Sequence, residues 1–323
     1  MSETSTKSKK ELRREDEPPS SHSSSGPRPP GGADVVWTVG RVLSWTAERF
    51  RQAEMESGRL EAEILLASVL GCSRVGLYTD YHKPLDERER DAYRKLVRRR
   101  LRGEPTAYLV GEKEFWSLPF YVDERVLIPR PETELLVEIA LEVLKDIEAP
   151  FLFEMGTGSG CVAVAIAKER PDARVVATDI DGDALDVARR NVERNEAGNV
   201  ELRQGAGLEP VTEAEMGHVD LIVSNPPYVA TSRLDQVQEH VIAYEPERAL
   251  LAGKDGLDVI RMLVARAPRA LKQGGWLVTE IDPAQAEEVE ELLERAGSFD
   301  RIQVRHDLTH RDRAALARRK PRP

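Results

Sequence analysis

Asn225-Pro226-Pro227-Tyr228 brings together the residue types in this chain best suited to chemistry. A side-chain amide, two residues of locked φ and an aromatic ring follow the apolar run Leu221-Ile222-Val223, which reads as a buried strand. Proline has no N–H to extend that strand. Asn225 and Tyr228 are therefore presented at its C-terminal end, where open α/β sheets build their sites. The combination suits one task, gripping a planar NH2 group. That group is either the exocyclic amine of a base or the side-chain amide of Gln or Asn. The plainer reading of Asn225 is a turn-stabilising residue.

A glycine loop lies upstream. Phe151-Leu152-Phe153-Glu154-Met155 reads as a short strand, Gly156-Thr157-Gly158-Ser159-Gly160 as a turn, and Cys161 to Ala167 as a helix. Glycines at such a turn let the backbone approach a ligand and pack helix against strand. The spacing is G-x-G-x-G, not the G-x-G-x-x-G of dinucleotide binders, and alone it is equally a plain tight turn. Arg174 to Thr178 reads as a second strand ending in Asp179, an acidic residue placed either to take a ribose diol or to cap the next helix. Ala184 to Asn195 reads as that helix, with Leu185, Val187, Ala188 and Val192 on one face. Glycine loop, acidic strand end and Asn-Pro-Pro-Tyr fall in chain order on strands one, two and four of one sheet. That order resembles the class I S-adenosylmethionine-dependent methyltransferases.

The rest of the chain must position these residues. Its 323 residues allow two domains and a tail, and 40% hydrophobic content supports a real core. No apolar run approaches the roughly 20 residues of a membrane helix. The start of the sequence carries no secretory pattern, and Glu11, Glu15, Asp16 and Glu17 speak against a transit peptide. A net charge of −10 argues against duplex DNA as a general partner. Cys72 and Cys161 are too few for a disulfide framework or zinc site and read as core thiols, consistent with a cytoplasmic setting.

Residues 1–34 are Ser, Pro, Gly and charge, a composition that cannot bury enough surface to order itself. Residues 35–110 read as a small helical domain. Val42, Leu43, Trp45 and Phe50, then Leu60, Ala62, Ile64, Leu65 and Leu70, then Leu85 to Leu101 recur at helical spacing, with Gly71 as a stop and Asp86 as an N-cap. Residues 111–129 read as a β-hairpin linker, with Phe115–Val122 and Val126–Ile128 flanking Asp123-Glu124. From residue 130 to 319 helices and strands alternate, as in a parallel sheet. The last elements read as a helix from Leu257 to Leu271 kinked at Pro268, a strand from Trp276 to Glu280, a helix from Pro283 to Ala296 and a strand from Ile302 to Arg305. The basic run Arg94 to Arg102 reads as the solvated face of an amphipathic helix, because Leu96, Val97 and Leu101 sit in it at core-like spacing. A docking face for an acidic protein or RNA is the other reading. His240, His306 and His310 lack the companions a metal site needs, so no metal is expected.

Several segments together resemble the HemK-like protein glutamine N5-methyltransferases, which act on peptide chain release factors. Leu60-Glu61-Ala62-Glu63-Ile64-Leu65-Leu66 is similar to that family's N-terminal helical domain, and Glu104 to Gly111 with Glu114-Phe115 to its linker. Leu127-Ile128-Pro129-Arg130-Pro131-Glu132-Thr133-Glu134 is similar to its entry into the catalytic domain, and Asn225 to Tyr228 to its substrate motif. Glu245-Pro246, Ala249-Leu250, Gly253, Asp255-Gly256, Glu280, Gln285, Asp307-Leu308 and Arg311-Asp312-Arg313 follow its later pattern. The likeness spans roughly residues 40 to 319.

The resemblance implies a Rossmann-like class I methyltransferase domain behind a small helical substrate-binding domain. It implies S-adenosylmethionine held by Gly156, Thr157, Gly158, Ser159, Gly160, Asp179 and Asn225. It implies a release factor as protein substrate, gripped by Asn225, Pro226, Pro227 and Tyr228, with no stable nucleic-acid partner. Glu154 and Ala206 stand where the family usually has Asp, and Asp282 where it usually has Gly, which implies weaker cofactor binding than the family norm. Three other readings stay open: a glutamine methyltransferase of a ribosomal protein, an adenine N6-methyltransferase on nucleic acid, and an inactive cofactor-binding regulator.

Overall fold

The computed structural model describes residues 36–236 and 239–321. The expectation of a disordered tail at residues 1–34 lies outside them. The described residues divide into two compact units, one holding residues 36–110 together with Glu239–Tyr244, the other residues 111–236 with 245–321.

The first unit is helical: α1 (Val39–Gln52), α2 (Gly58–Leu70), α3 (Arg74–Thr79), α4 (Glu87–Leu101), α5 (Thr106–Val110) and, from later in the chain, α9 (Glu239–Tyr244). The local signals act as their chemistry dictates. Gly71 ends α2 in a left-handed conformation. Asp86 starts α4 through a reciprocal capping box with Glu89, both bonds 2.8 Å. Val39, Leu43, Phe50, Leu65, Leu66, Tyr93 and Val97 form the core. Leu60 instead faces solvent. Arg94, Lys95, Arg98 and Arg99 lie on the exposed face of α4 while Val97 turns inward, so the basic run is a solvated helix face. Cys72, expected in the core, is exposed; it follows the left-handed Gly71 and has left the buried face of α2.

The second unit opens with a hairpin, β1 (Glu112–Phe115) and β2 (Leu118–Tyr121). This corrects the expected hairpin. The turn is Trp116-Ser117, both at positive φ, and Val126–Ile128 is not a strand. Such two-residue turns favour Asn-Gly, so Trp-Ser gives little warning in the sequence. The turn is held from outside: the Trp116 amide donates to Glu134 and its indole N–H to Glu169, each at 2.8 Å.

The main sheet comprises β3 (Phe151–Met155), β4 (Arg174–Asp179), β5 (Val200–Gln204), β6 (Val219–Ser224), β7 (Leu271–Glu280), β8 (Phe299–His306) and β9 (Asp312–Arg319), in the order β5-β4-β3-β6-β7-β9-β8. The first five run parallel; β9 is antiparallel to both β7 and β8. Side chains alternate between two cores. Leu152, Val175, Leu221 and Val223 face one with α6 (Glu134–Leu144) and α7 (Cys161–Glu169); Phe153, Val176 and Ile222 face the other with α10 (Asp258–Ala270) and α11 (Ala286–Arg295). Burial on both faces is what a parallel sheet requires. It bears out the Rossmann-like, mostly parallel architecture expected from the sequence. α8 (Gly182–Arg194) begins two residues before the expected start, capped by Asp181, whose carboxylate accepts from the Asp183 amide at 3.0 Å.

Several element boundaries differ from expectation. β7 begins at Leu271, and β8 extends on both sides of Ile302–Arg305. The stretch from Pro283 is a short 3-10 turn before α11, with Asp282 capping it through Ala284 and Gln285. The strand at 312–319 has no counterpart in the sequence reading. Pro268 is accommodated inside α10, near its C-terminal end.

Candidate active site

The strand order reverses between β3 and β6: β4 and β5 lie to one side of β3, β6 to the other. Connections diverge there and leave a crevice at the carboxyl ends. The loop after β3 is Gly156–Gly160; the segment after β6 is Asn225–Tyr228. Register pairs Met155 with Ser224, and the Ser224 hydroxyl donates to the Met155 carbonyl at 2.8 Å, so the two motifs leave the sheet side by side.

A cavity of about 420 Å³ occupies the crevice. Gly156, Thr157, Gly158, Ser159, Asp179, Asn225 and Pro227 line it. Gly160, Pro226 and Tyr228 are not among its lining residues. Gly160 has φ +82°, and a Cβ there would meet the Ala188 methyl at 3.3 Å, so this glycine serves helix packing as much as the loop. Pro226 is buried, and its carbonyl makes no hydrogen bond among the described residues. Tyr228 is half-buried, with its hydroxyl donating to Glu280 at 3.3 Å.

The loop amides are largely committed to protein. Those of Gly156 and Thr157 donate to the Thr178 carbonyl at 2.8 Å, that of Gly158 to the Asp179 carboxylate at 2.9 Å, and that of Gly160 to Thr157 at 2.8 Å. A loop so arranged is not a phosphate cradle, which needs free N–H groups aimed at the ligand. It offers a close backbone surface instead: a Cβ on Gly158 would meet nothing within 4 Å. The Asp179 carboxylate also accepts from the Asp181 amide at 3.0 Å, and burial raises its pKa against those bonds. Asp181 pairs with Arg248 at 2.9 Å at the cavity wall. Ile180, Leu251, Val259 and Met262 supply apolar lining, and Ile180 remains 62% exposed. Gly205, Ala206 and Gly207 line the wall near Asp179 without a carboxylate of their own. A glycine surface, a carboxylate at a strand end and apolar walls fit a nucleoside with an amino-acid arm, so the residues present suit S-adenosylmethionine.

Two buried carboxyls lie at this end of the sheet. Glu154 accepts from the Thr157 hydroxyl at 2.5 Å; burial, with Asp179 adding in the same direction, pushes it up to about 8. Glu280, at the end of β7, accepts from Thr133 at 2.7 Å as well as from Tyr228, and burial pushes it up to about 7. Thr133 in turn accepts from the Asn225 side-chain NH2 at 3.1 Å. Cys161 is a buried thiol, pushed up to about 12 by burial and thus inert.

The residues that hold the motif in place carry little signal of their own. Gly256, at φ +83°, lets its loop approach so closely that a Cβ would lie 2.2 Å from the Tyr228 carbonyl. Gln285 donates to that carbonyl at 3.1 Å. Glu245, buried, pairs with Arg130 and accepts from the Ile128 amide at 3.2 Å, which pins the segment that carries Thr133. Asn191, inside α8, bridges the hairpin and the glycine loop: it donates to the carbonyls of Tyr121 at 2.9 Å and Ser159 at 2.8 Å and accepts from the Tyr121 amide at 2.7 Å. Composition gives no reason to single out Asn191; only the fold does. Among the described residues no cluster of metal-ligating side chains forms, and no helix is long and apolar enough to cross a membrane.

Comparison with known proteins agrees with this geometry. The family model described as PrmC N-terminal domain matches residues 41–111, and that of the methyltransferase small domain matches residues 133–253. The release factor glutamine methyltransferase of Rhodopirellula baltica is 44% identical over 87% of this chain and 96% of its own length. That of Geobacter sulfurreducens is 44% identical over 82% of this chain and 91% of its own. Among solved structures, the hMettl16 catalytic domain in complex with an MAT2A 3′UTR hairpin superposes with TM-score 0.51 at 14% identity over 70% of this chain and 81% of that one, a likeness of fold alone. Identity of this order along nearly the whole length places the chain in the release factor glutamine methyltransferase family.

Proposed function

We propose that this protein transfers a methyl group from S-adenosylmethionine to the side-chain amide nitrogen, N5, of the Gln in the Gly-Gly-Gln loop of a peptide chain release factor. The observation that carries the reading is the adjacency, at the strand-order reversal, of the glycine loop and Asn225. S-adenosylmethionine supplies an electrophilic methyl on a sulfonium; Gly156, Thr157, Gly158 and Ser159 would face it and Asp179 would take its ribose hydroxyls.

The difficulty lies with the acceptor. An amide nitrogen is a poor nucleophile, because its lone pair is delocalised into the carbonyl. The chain's part is therefore to hold that nitrogen in line. The Asn225 side-chain oxygen and the Pro226 backbone carbonyl, neither bonded to protein among the described residues, serve as acceptors for the two amide hydrogens. The Tyr228 ring, its hydroxyl anchored on Glu280, lies against the amide plane. Positioning of this kind can supply up to about 7–11 kcal/mol, and acceptors aimed at the developing positive charge add to it. No strong base is needed beforehand, since an N-alkylated, protonated amide releases its proton readily.

The same geometry would admit a ribosomal-protein Gln or the amine of adenine. Family membership favours the release factor, and among the described residues no basic recognition domain for nucleic acid is evident. The helical unit serves in this reading as the surface that binds the protein substrate away from the reacting Gln, in a cytoplasmic setting where translation factors act. The test is kinetic. Asn225→Ala should abolish nearly all methylation, and wild-type enzyme should leave a Gln→Glu release factor untouched, because a carboxylate has no hydrogens for two acceptors. Turnover of the Gln→Glu substrate, or full activity of Asn225→Ala, would refute the assignment.

A further inference from the structure

A side-chain amide grips an NH2 group only if its oxygen, not its nitrogen, faces that group. The two ends of Asn225 are nearly the same in shape, so sterics alone do not choose. A hydrogen-bond chain beneath it does. Glu280 is 1% exposed, and its carboxylate accepts the one hydrogen of the Thr133 hydroxyl at 2.7 Å. Thr133, also 1% exposed, is left with lone pairs only and accepts from the Asn225 NH2 at 3.1 Å. The amide nitrogen is thus turned down toward Thr133 and the oxygen outward. We propose that Thr133, held by Glu280, is a positioning residue that sets which end of the Asn225 amide meets the substrate. The proposal deepens the glutamine-amide reading and rests on it.

The chain has a direction, and the direction depends on a proton. With Glu280 ionised, hydrogens run from Asn225 to Thr133 to Glu280. With Glu280 protonated, the carboxylic O–H donates to Thr133, the Thr133 hydroxyl donates to the Asn225 oxygen, and the Asn225 NH2 turns outward. That end would oppose the substrate NH2 donor to donor. The charged and titratable groups that act on Glu280 come from several neighbouring elements: Arg313 from β9, its guanidinium also paired with Asp307 at 3.2 Å; Glu132 from the Pro131–Thr133 turn; Tyr228 after β6; and Cys161 at the start of α7. Arg313 and the two hydrogen bonds favour the ionised carboxylate, burial and Glu132 oppose it, and the balance sits near neutrality. The site therefore gains its working orientation as pH rises through that region.

The experiment compares Thr133→Val, which removes the hydroxyl at near-constant volume, with Thr133→Ser, which restores it. Turnover of release factor is measured across pH, with cofactor affinity by calorimetry. Thr133→Val should lower kcat by about 10–100-fold, less than the roughly 100–1000-fold of deleting a preorganised contact outright because Asn225 itself remains, with cofactor affinity changed little. Thr133→Ser should recover most of the rate and the acid limb of the wild-type profile. A Thr133→Val enzyme of wild-type kcat, or a Thr133→Ser enzyme as impaired as Thr133→Val, overturns the proposal. A second readout needs no turnover: the side-chain NH2 signal of Asn225 in 15N-Asn-labelled enzyme should shift across neutral pH in wild type and cease to do so in Thr133→Val. A pH-independent Asn225 signal in the wild type overturns the proposal whatever the substrate. Wild-type enzyme that methylates no glutamine, with that signal titrating, would instead sink the functional reading and leave the chain standing.

Discussion

Replacing Glu154 by Gln removes a charge from the floor of the glycine loop while keeping shape and one acceptor for the Thr157 hydroxyl. Glu154 is 2% exposed, and its carboxyl rises from an ordinary 4.5 to about 8, chiefly through burial. Because the folded value exceeds the unfolded one, the folded state binds more protons between those limits. Stability therefore falls as pH rises through that window, and the penalty is complete above it. At about 1.4 kcal/mol for each tenfold change in proton affinity, the rise from 4.5 to about 8 carries a penalty on the order of 5 kcal/mol. Glu154→Gln lacks it. Urea unfolding of wild type and Glu154→Gln between about pH 5 and 9 reads the difference directly. The variant should be equal or less stable at the acid end, where the protonated carboxyl is the better fit, and more stable by a few kcal/mol at the alkaline end. Titrating groups remote from Glu154 cancel in the subtraction, and Asp179, whose charge acts on Glu154, shifts the variant's curve in the same direction. Parallel stability curves would refute the reasoning, because they would mean that Glu154 carries no buried-charge penalty.

Asp179→Ala should weaken S-adenosylmethionine binding by roughly 1.5–3 kcal/mol, the worth of a hydrogen bond to a charged group; unchanged affinity by calorimetry would remove Asp179 from the cofactor site. If residues 35–110 bind the protein substrate as proposed, deleting them should abolish methylation of folded release factor while cofactor binding persists, because remote contacts act on the substrate and not on the cofactor. A folded truncation that methylates the intact factor at full rate would assign those helices another role.

What the sequence disclosed follows from where the physics is local. The strand runs Phe151–Met155 and Leu221-Ile222-Val223, the stop at Gly71 and the N-cap at Asp86 are short-range effects, and the structure shows each. The glycine loop and the Asn-Pro-Pro-Tyr turn were visible as motifs, because glycine and proline constrain backbone in recognisable ways. β9 was not visible. Its Ala-Ala-Leu-Ala-Arg run has helix-forming composition, and only its place between β7 and β8 makes a strand of it. The Trp116-Ser117 turn was hidden for a related reason: bonds from Glu134 and Glu169 hold a conformation that its own residues do not favour. Glu280 and Thr133 could be picked out only by resemblance. That they share a hydrogen bond, 147 residues apart in sequence, is a property of the fold.

The most direct test of the account is to find the methyl group. The 323-residue enzyme is incubated with isotope-labelled S-adenosylmethionine and, in parallel, intact release factor, ribosomes and nucleic acid, and each product is fragmented by mass spectrometry. The account predicts label on one atom class, the side-chain amide nitrogen of the Gln in the release factor's Gly-Gly-Gln loop. Label on a base, a carboxylate, a backbone atom or a ribosomal-protein Gln alone would contradict it.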